Sequence, residues 1–128
     1  MCVCVCMFAV GVGVGVPTPC CVPCCAWGAG AVTTAGGTGD GDTMVRFVPC
    51  YQAVESMARG MTPRAAATDA ISRILKFYPA FGGAVVVVNA AGVHSAACST
   101  GLGASWRYTF RASGMEKHGV VEVPCQSI

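Results

Sequence analysis

Thr38-Gly39-Asp40-Gly41-Asp42 is the stretch at which this chain changes character. No Asp, Glu, Lys or Arg precedes it, and Asp40 is the first charged residue. Two glycines and two carboxylates ahead of Met44-Val45-Arg46-Phe47 predict a tight loop that opens a helix, where backbone N–H groups and the positive end of the helix dipole are exposed. Such a loop can hold an anion or a developing oxyanion.

Composition limits the classes of function. The chain has 128 residues, which is enough for one small domain with a core. Its net charge of +2 is too small, and its Lys and Arg residues are too scattered, to indicate nucleic acid as a partner. The apolar run from Cys2 to Val16 is shorter than the roughly 20 residues of a transmembrane helix and lacks the basic start of a secretory signal. We therefore expect neither nucleic acid nor membrane among the partners.

Residues 1–27 differ from the remainder, residues 28–128. Seven of the ten cysteines lie in the first 25 residues, where Cys alternates with Val and later Gly alternates with Val. Such alternation is typical of a translated dinucleotide repeat, so we expect a disordered segment or translated non-coding repeat. A non-catalytic, cysteine-rich metal-binding or interaction protein is an alternative, because Cys20–Cys25 contains overlapping C-x-x-C pairs. No histidine or second C-x-x-C cluster stands at a finger-like distance, which disfavours a metal site.

The residues on either side of the opening stretch predict a loop and a helix. Residues 28–37 are small and suit a loop or a close approach of the backbone to a ligand. Residues 42–59 carry apolar side chains at helical spacing. Pro49 interrupts that pattern, so we expect either a kink or a helix that begins near Val48.

A second helix has clear start and stop signals. Thr62 is a plausible N-cap, and Pro63 stands at the first helical position, where its missing N–H costs nothing. An apolar stripe follows, and Pro79 is expected to end the helix.

The pattern then changes to that of strands. Residues 84–88 form a β-branched run of the kind buried on both faces, and residues 93–98 and 105–111 predict two further antiparallel strands. Two helices followed by an antiparallel sheet indicate an α+β fold with one helix layer, which leaves one sheet face uncovered. His94 and His118 have no visible acid or metal partner, and we interpret both as surface or turn residues.

The run from Thr38 to Glu55 resembles the lysosomal glycosylasparaginases, whose β-subunits carry a T-G-[DN]-G-D-x-x-x-R-F-x-P-x-Y-Q-A-V-E pattern. The similarity continues through Phe81-Gly82-Gly83 and Ala96-Ala97-Cys98 to Pro124-Cys125, and covers roughly residues 36 to 128. The resemblance implies an N-terminal nucleophile hydrolase, whose four-layer αββα sandwich is made by autoproteolysis into α- and β-subunits. This chain would form part of that sandwich.

The resemblance also implies an activity and a site. The family cleaves the amide bond between asparagine and N-acetylglucosamine in lysosomal glycoprotein degradation, without a cofactor. Thr38 and Gly39 match its oxyanion hole, through a hydroxyl and a backbone N–H, and Asp40 and Gly41 complete the substrate-contact loop.

Other family features are matched in part. Cys98 and Cys125 match one of the family's disulfides. The nucleophilic threonine, which the family places in a D-T-I-G-M context, is matched nowhere, and Thr33 and Thr34 lack that context. The R-V-G-D context that binds the substrate's α-groups is absent too. We therefore expect no catalytic residue and no metal ligand in this chain.

These matches and departures predict the C-terminal part of a glycosylasparaginase-like β-subunit over residues 28–128, inactive by itself. Its expected partners are the missing α-subunit, a second heterodimer and the glycosylated asparagine substrate. A fragment of a plant-type asparaginase or isoaspartyl peptidase is the alternative within the superfamily. Those proteins share the T-G-x-G loop, but the resemblance does not extend to the R-F-x-P-x-Y-Q-A-V-E continuation.

Overall fold

The computed structural model describes residues 3–6, 24–28 and 31–127, with side chains from residue 33 onward. The low-complexity segment predicted over residues 1–27 lies outside this part of the chain, except for two short strands. The C-x-x-C pairs of Cys20–Cys25 begin outside it as well. The interpretations of that segment stay predictions.

The described residues alternate between strands and one block of helices. Their seven strands are, in chain order, β1 Val3–Cys6, β2 Cys24–Gly28, β3 Ala31–Gly39, β4 Gly83–Val88, β5 His94–Cys98, β6 Ser105–Ala112 and β7 Gly119–Pro124. Three α-helices lie between β3 and β4, namely α1 Gly41–Phe47, α2 Pro49–Ala58 and α3 Pro63–Leu75. A 3-10 turn, Thr100–Leu102, follows β5.

The strands form two antiparallel sheets that pack face to face. The four-stranded sheet has the order β2-β3-β4-β5, and the three-stranded sheet has the order β1-β6-β7. Val85 and Val87 of β4 pack in the core with α2 and α3. Ala84 and Val86 of the same strand pack in a second core with β6 and β7. Helices, sheet and sheet are three layers of an αββα sandwich, so the predicted α+β class and the strand buried on both faces are confirmed.

The arrangement of the third predicted strand is wrong. Residues 105–111 lie in the three-stranded sheet beside β7, and they do not extend the sheet of β4 and β5. This second sheet covers the face of the four-stranded sheet that was expected to be uncovered. Trp106 and Tyr108 of β6 are buried there, in one core with residues of β4 and β5. Alternation along a strand predicts one buried face, but it does not say which layer covers that face.

The loop predicted over residues 28–37 is also wrong, because residues 31–37 belong to β3. Small residues there leave room for side chains of α1 and α2. A Cβ atom at Gly37 would stand 3.0 Å from the Cys50 Sγ and would clash with the Met44 side chain. The same small residues carry no hydrophobic pattern, so they look like a loop in the sequence.

The second helix follows its predicted signals. The Thr62 hydroxyl accepts a hydrogen bond from the Ala65 N–H at 3.3 Å, and Pro63 is the first helical residue. The helix ends at Leu75, before Pro79.

Val48 separates α1 from α2 and confirms the predicted interruption at Pro49. Its backbone is left-handed, with φ 46° and ψ 52°, and its side chain is half exposed. Pro49 disfavours the right-handed helical conformation in the residue before it, so the chain turns at Val48. A β-branched residue in this conformation is strained.

Val48→Gly is therefore expected to raise the free energy of unfolding by about 1 kcal/mol, because glycine adopts the left-handed conformation without that strain. Val45 is a matched control, since it is 77 % exposed and lies inside α1. Val45→Gly should lower the free energy of unfolding by about 1 kcal/mol. Chemical denaturation of both variants measures the difference, and changes of the same sign at both positions would contradict the strain at Val48.

Candidate functional site

The candidate site is the loop of residues 38–41, where β3 ends and α1 begins. Asp40 is the N-cap of α1, and its Oδ1 accepts hydrogen bonds from the N–H groups of Asp42, at 3.1 Å, and Thr43, at 3.3 Å. These two N–H groups are therefore already bonded within the chain. The helix start therefore does not offer these two N–H groups to an external anion, and the predicted role of the loop rests on its other groups.

Gly39 is held close to the backbone of the neighbouring strand. Its φ is 141°, which side chains of L-residues rarely tolerate, and a Cβ atom would stand 2.5 Å from the Gly82 carbonyl oxygen. The same atom would lie 2.7 Å from the Gly83 Cα. Glycine is thus required at this position by both conformation and contact.

The Gly39 N–H points away from β4. Gly39 is paired with Gly83, but the Gly83 N–H and C=O both bond to Ser99 on the opposite side. The Asp40 N–H donates to the Gly82 carbonyl at 3.3 Å, which marks the adjacent pair as the hydrogen-bonded one. Because hydrogen-bonded and non-bonded pairs alternate along an antiparallel ladder, Gly39 directs its N–H to the other edge of β3.

No strand among the described residues pairs with that edge next to the 38–41 loop. The pairing of β2 with β3 ends at Ala35, so among the described residues β2 does not reach Gly39. Thr38 is directly opposite Ala84, and its side chain is therefore on the face that packs towards the three-stranded sheet. The structure thus brings a half-buried hydroxyl and an exposed N–H together at the end of one strand.

Asp40 and Gly41 are both exposed beside these two donors. The two N–H groups that Asp40 caps both bond to its Oδ1, so Oδ2 keeps the capacity to accept a further hydrogen bond. A Cβ atom at Gly41 would meet no atom within 4 Å, which leaves room above the start of α1. The loop therefore offers two donors and one acceptor to a molecule at the edge of β3.

His94, which was predicted to be a surface or turn residue, is partly buried just after a turn. It begins β5, its Nδ1 lies 2.9 Å from the Tyr108 hydroxyl, and its ring centre is 4.2 Å from that of Phe110. Burial lowers the pKa of His94 and raises the pKa of Tyr108. His94 pairs with Val88, at the opposite end of β4 from the 38–41 loop, so it lies outside the site. His118 is exposed, as predicted.

Cys98 and Cys125 form a disulfide, which is the pair that the resemblance implied. It joins the end of β5 to the segment after β7, and Cys98 is fully buried. Within residues 31–127, no three side chains of His, Cys, Asp or Glu come together as metal ligands would. No helix in the described part of the chain is both long and apolar enough to cross a membrane.

Comparison with known proteins places the chain in a family. The family model described as Asparaginase matches residues 18–117. The chain belongs to the asparaginase family. The match includes the 38–41 loop, all three helices and the strands β3 to β6, and it begins within the segment of residues 1–27.

Two kinds of named asparaginase-family protein are similar to this chain. The "Probable isoaspartyl peptidase/L-asparaginase 3" of Arabidopsis thaliana is 64 % identical over 63 residues, which are 49 % of this chain and 18 % of that protein. The N(4)-(β-N-acetylglucosaminyl)-L-asparaginase of Rattus norvegicus is 51 % identical over 77 residues, which are 56 % of this chain and 22 % of the rat protein. Its counterpart in Mus musculus is 51 % identical over 75 residues, with the same two shares. The chain spans about a fifth of the length of these relatives.

Proposed function

We propose that this chain carries the oxyanion hole and substrate-contact loop of an amidohydrolase that cleaves the N4-(β-N-acetylglucosaminyl)-L-asparagine bond in glycoprotein degradation. The observation that supports it is the pair of donors at the end of β3. The Thr38 hydroxyl is on the face between the two sheets, and the Gly39 N–H points to the open edge beside it. The names of the rat and mouse relatives support the choice of substrate.

The two donors suit amide hydrolysis. When a nucleophile attacks the amide carbon, its carbonyl oxygen becomes an anion, which donors held in place beforehand stabilise without reorganisation. Gly39 is held by its contacts with Gly82 and Gly83, and Thr38 by its pairing with Ala84. Collapse of the tetrahedral intermediate then expels the nitrogen of the glycosylamine and returns the oxygen to a carbonyl.

Asp40 contributes both to structure and to substrate contact in this proposal. Its Oδ1 caps α1, which fixes the carboxylate relative to Gly39. Its Oδ2 can accept a hydrogen bond from a hydroxyl or ammonium group of the substrate. Gly41 leaves space for that group, because nothing lies within 4 Å of its Cβ position.

The nucleophile comes from outside the 128 residues in this proposal. A threonine with its own α-amino group as base would supply it, since the side-chain hydroxyl alone is a weak nucleophile. An α-subunit and a second heterodimer would be the partners, in the lysosome. The Cys98–Cys125 disulfide is in keeping with such an oxidising route.

An isoaspartyl peptidase or L-asparaginase is the second candidate. The 64 % identity to the Arabidopsis relative favours it. The oxyanion chemistry of the 38–41 loop would be the same, and the leaving group would differ.

The test is to place residues 33–103 of this chain into the rat and the Arabidopsis relatives, in place of the aligned segments. We expect the rat chimera to hydrolyse aspartyl-N-acetylglucosamine with at least about a tenth of the kcat of its parent, because in this proposal the 38–41 loop supplies the same donors. The isolated 128-residue chain, assayed in parallel, should give no turnover above blank.

The outcomes separate the candidates. Activity confined to the Arabidopsis chimera, measured on an isoaspartyl dipeptide, would favour the second candidate. Two folded and processed chimeras without turnover would contradict the oxyanion assignment itself. Turnover by the isolated chain would contradict the external nucleophile.

A further inference from the structure

We propose that Ser99 is a positioning residue that holds the Gly82 backbone and, through it, the Gly39 and Asp40 backbone of the 38–41 loop. Ser99 follows β5 and is fully buried. Its sequence context does not mark it as functional. The inference rests on the proposed function only in taking the Gly39 N–H as a catalytic donor.

Ser99 bonds to Phe81 and to Gly83, the first residue of β4. Its hydroxyl donates to the Phe81 carbonyl at 2.5 Å and accepts from the Gly83 N–H at 2.9 Å. Its own N–H donates to the Gly83 carbonyl at 2.9 Å. One side chain therefore bonds to the residues on both sides of Gly82.

Gly82 transmits this position to the 38–41 loop. Its carbonyl accepts the hydrogen bond of the Asp40 N–H, and Gly39 packs directly against it. Gly101 packs on it from another direction, because a Cβ atom there would stand 2.8 Å from the Gly82 Cα. Backbone thus meets backbone at these contacts, so a small displacement of Gly82 must displace Gly39.

Ser99 is itself anchored on both sides. Cys98 is tied to Cys125 by the disulfide. The Gln126 N–H donates to the Cys98 carbonyl at 2.8 Å, and the Thr100 N–H donates to the Gln126 carbonyl at 3.0 Å. The serine hydroxyl therefore projects from a braced segment.

Removal of the Ser99 hydroxyl would take away a hydrogen-bond partner from the buried Phe81 C=O and from the buried Gly83 N–H. Buried groups that lose a partner drive the backbone to move until they find another. Such movement at residues 81–83 weakens the bond between Asp40 and Gly82 and changes the direction of the Gly39 N–H.

Amide hydrogen exchange of the full chain tests this. In Ser99→Ala we expect the Asp40 amide to exchange at least about tenfold faster relative to the Val87 amide, which reports the centre of β4. Thr62→Ala is the control, because its hydroxyl also accepts a backbone hydrogen bond, but from the Ala65 N–H at the start of α3. It should leave the ratio unchanged. An equal acceleration of Asp40 and Val87 in Ser99→Ala would overturn the proposal.

A second measurement applies to the unmodified chain, including the case in which the alanine variant does not fold. Exchange at low denaturant should show the Asp40 and Gly83 amides opening in one event, with the same denaturant dependence. Separate openings would overturn the positioning by Ser99. These exchange results do not depend on turnover. If the chimeras are inactive but the Asp40 amide of the chain responds to Ser99→Ala, the proposed function alone is refuted. If the chimeras are active but that amide does not respond, the role of Ser99 alone is refuted.

Discussion

Thr38→Val in the rat chimera is expected to lower kcat by about 100- to 1,000-fold, which corresponds to about 2.7–4 kcal/mol of transition-state stabilisation. The proposed role of the hydroxyl is to donate to an oxygen that becomes charged only during the reaction. KM should therefore change little, since the lost interaction is made in the transition state and not with the bound substrate.

The substitution keeps the shape of the site. Valine is close to threonine in size and favours strands, and Thr38 is a half-buried residue of β3. Thr34→Val is the control, because Thr34 lies on the same face of β3 but pairs with Val88 at the other end of the ladder. Steady-state kinetics of both variants, with circular dichroism to check folding, make the comparison. A Thr38→Val variant with kcat within about threefold of the Thr34→Val variant would exclude the hydroxyl as a donor.

Loss of the Cys98–Cys125 disulfide is expected to lower the free energy of unfolding by about 3–4 kcal/mol, because the cross-link limits the conformations of the unfolded chain. The two cysteines are 27 residues apart. The loss is a large part of the roughly 5–15 kcal/mol that holds a small domain together. Loss of the disulfide should also free the segment that includes Gln126, which forms a β-bridge with Ser99.

A double-mutant comparison isolates this bond from the other cysteines of the chain. Denaturation is measured with and without reductant, in the unmodified chain and in the Cys98→Ala/Cys125→Ala double variant. The reductant should lower the free energy of unfolding of the unmodified chain by about 3–4 kcal/mol, and that of the double variant by less. Equal losses in both proteins would show that this disulfide contributes nothing.

Local signals in the sequence predicted the helices well. The interruption at Pro49 appears as the left-handed Val48 between α1 and α2. The run of valines is a strand buried on both faces, as its composition indicates. These features depend on backbone sterics and on residues close in the chain, so no knowledge of the partner layers was needed.

Long-range features were predicted poorly. Residues 105–111 were expected as a third strand in the sheet of β4 and β5, but β6 lies in the three-stranded sheet, between β1 and β7. His94 was expected to be a surface or turn residue, but it is partly buried, packs on Phe110 and bonds to Tyr108. In both cases the neighbour is supplied by another sheet, and the pattern along one strand holds no information about it.

The sequence by itself determined the start of each helix and the motif of the 38–41 loop. Thr62 caps its helix as its position indicated, and Asp40, one of the two aspartates of the loop, caps α1, because capping involves only groups within three residues. Tertiary structure alone decided that the small residues around Gly37 form a strand and that Ser99 braces the loop. Close contact between backbones depends on which segments the fold brings together, and glycines leave no hydrophobic pattern by which to foresee it.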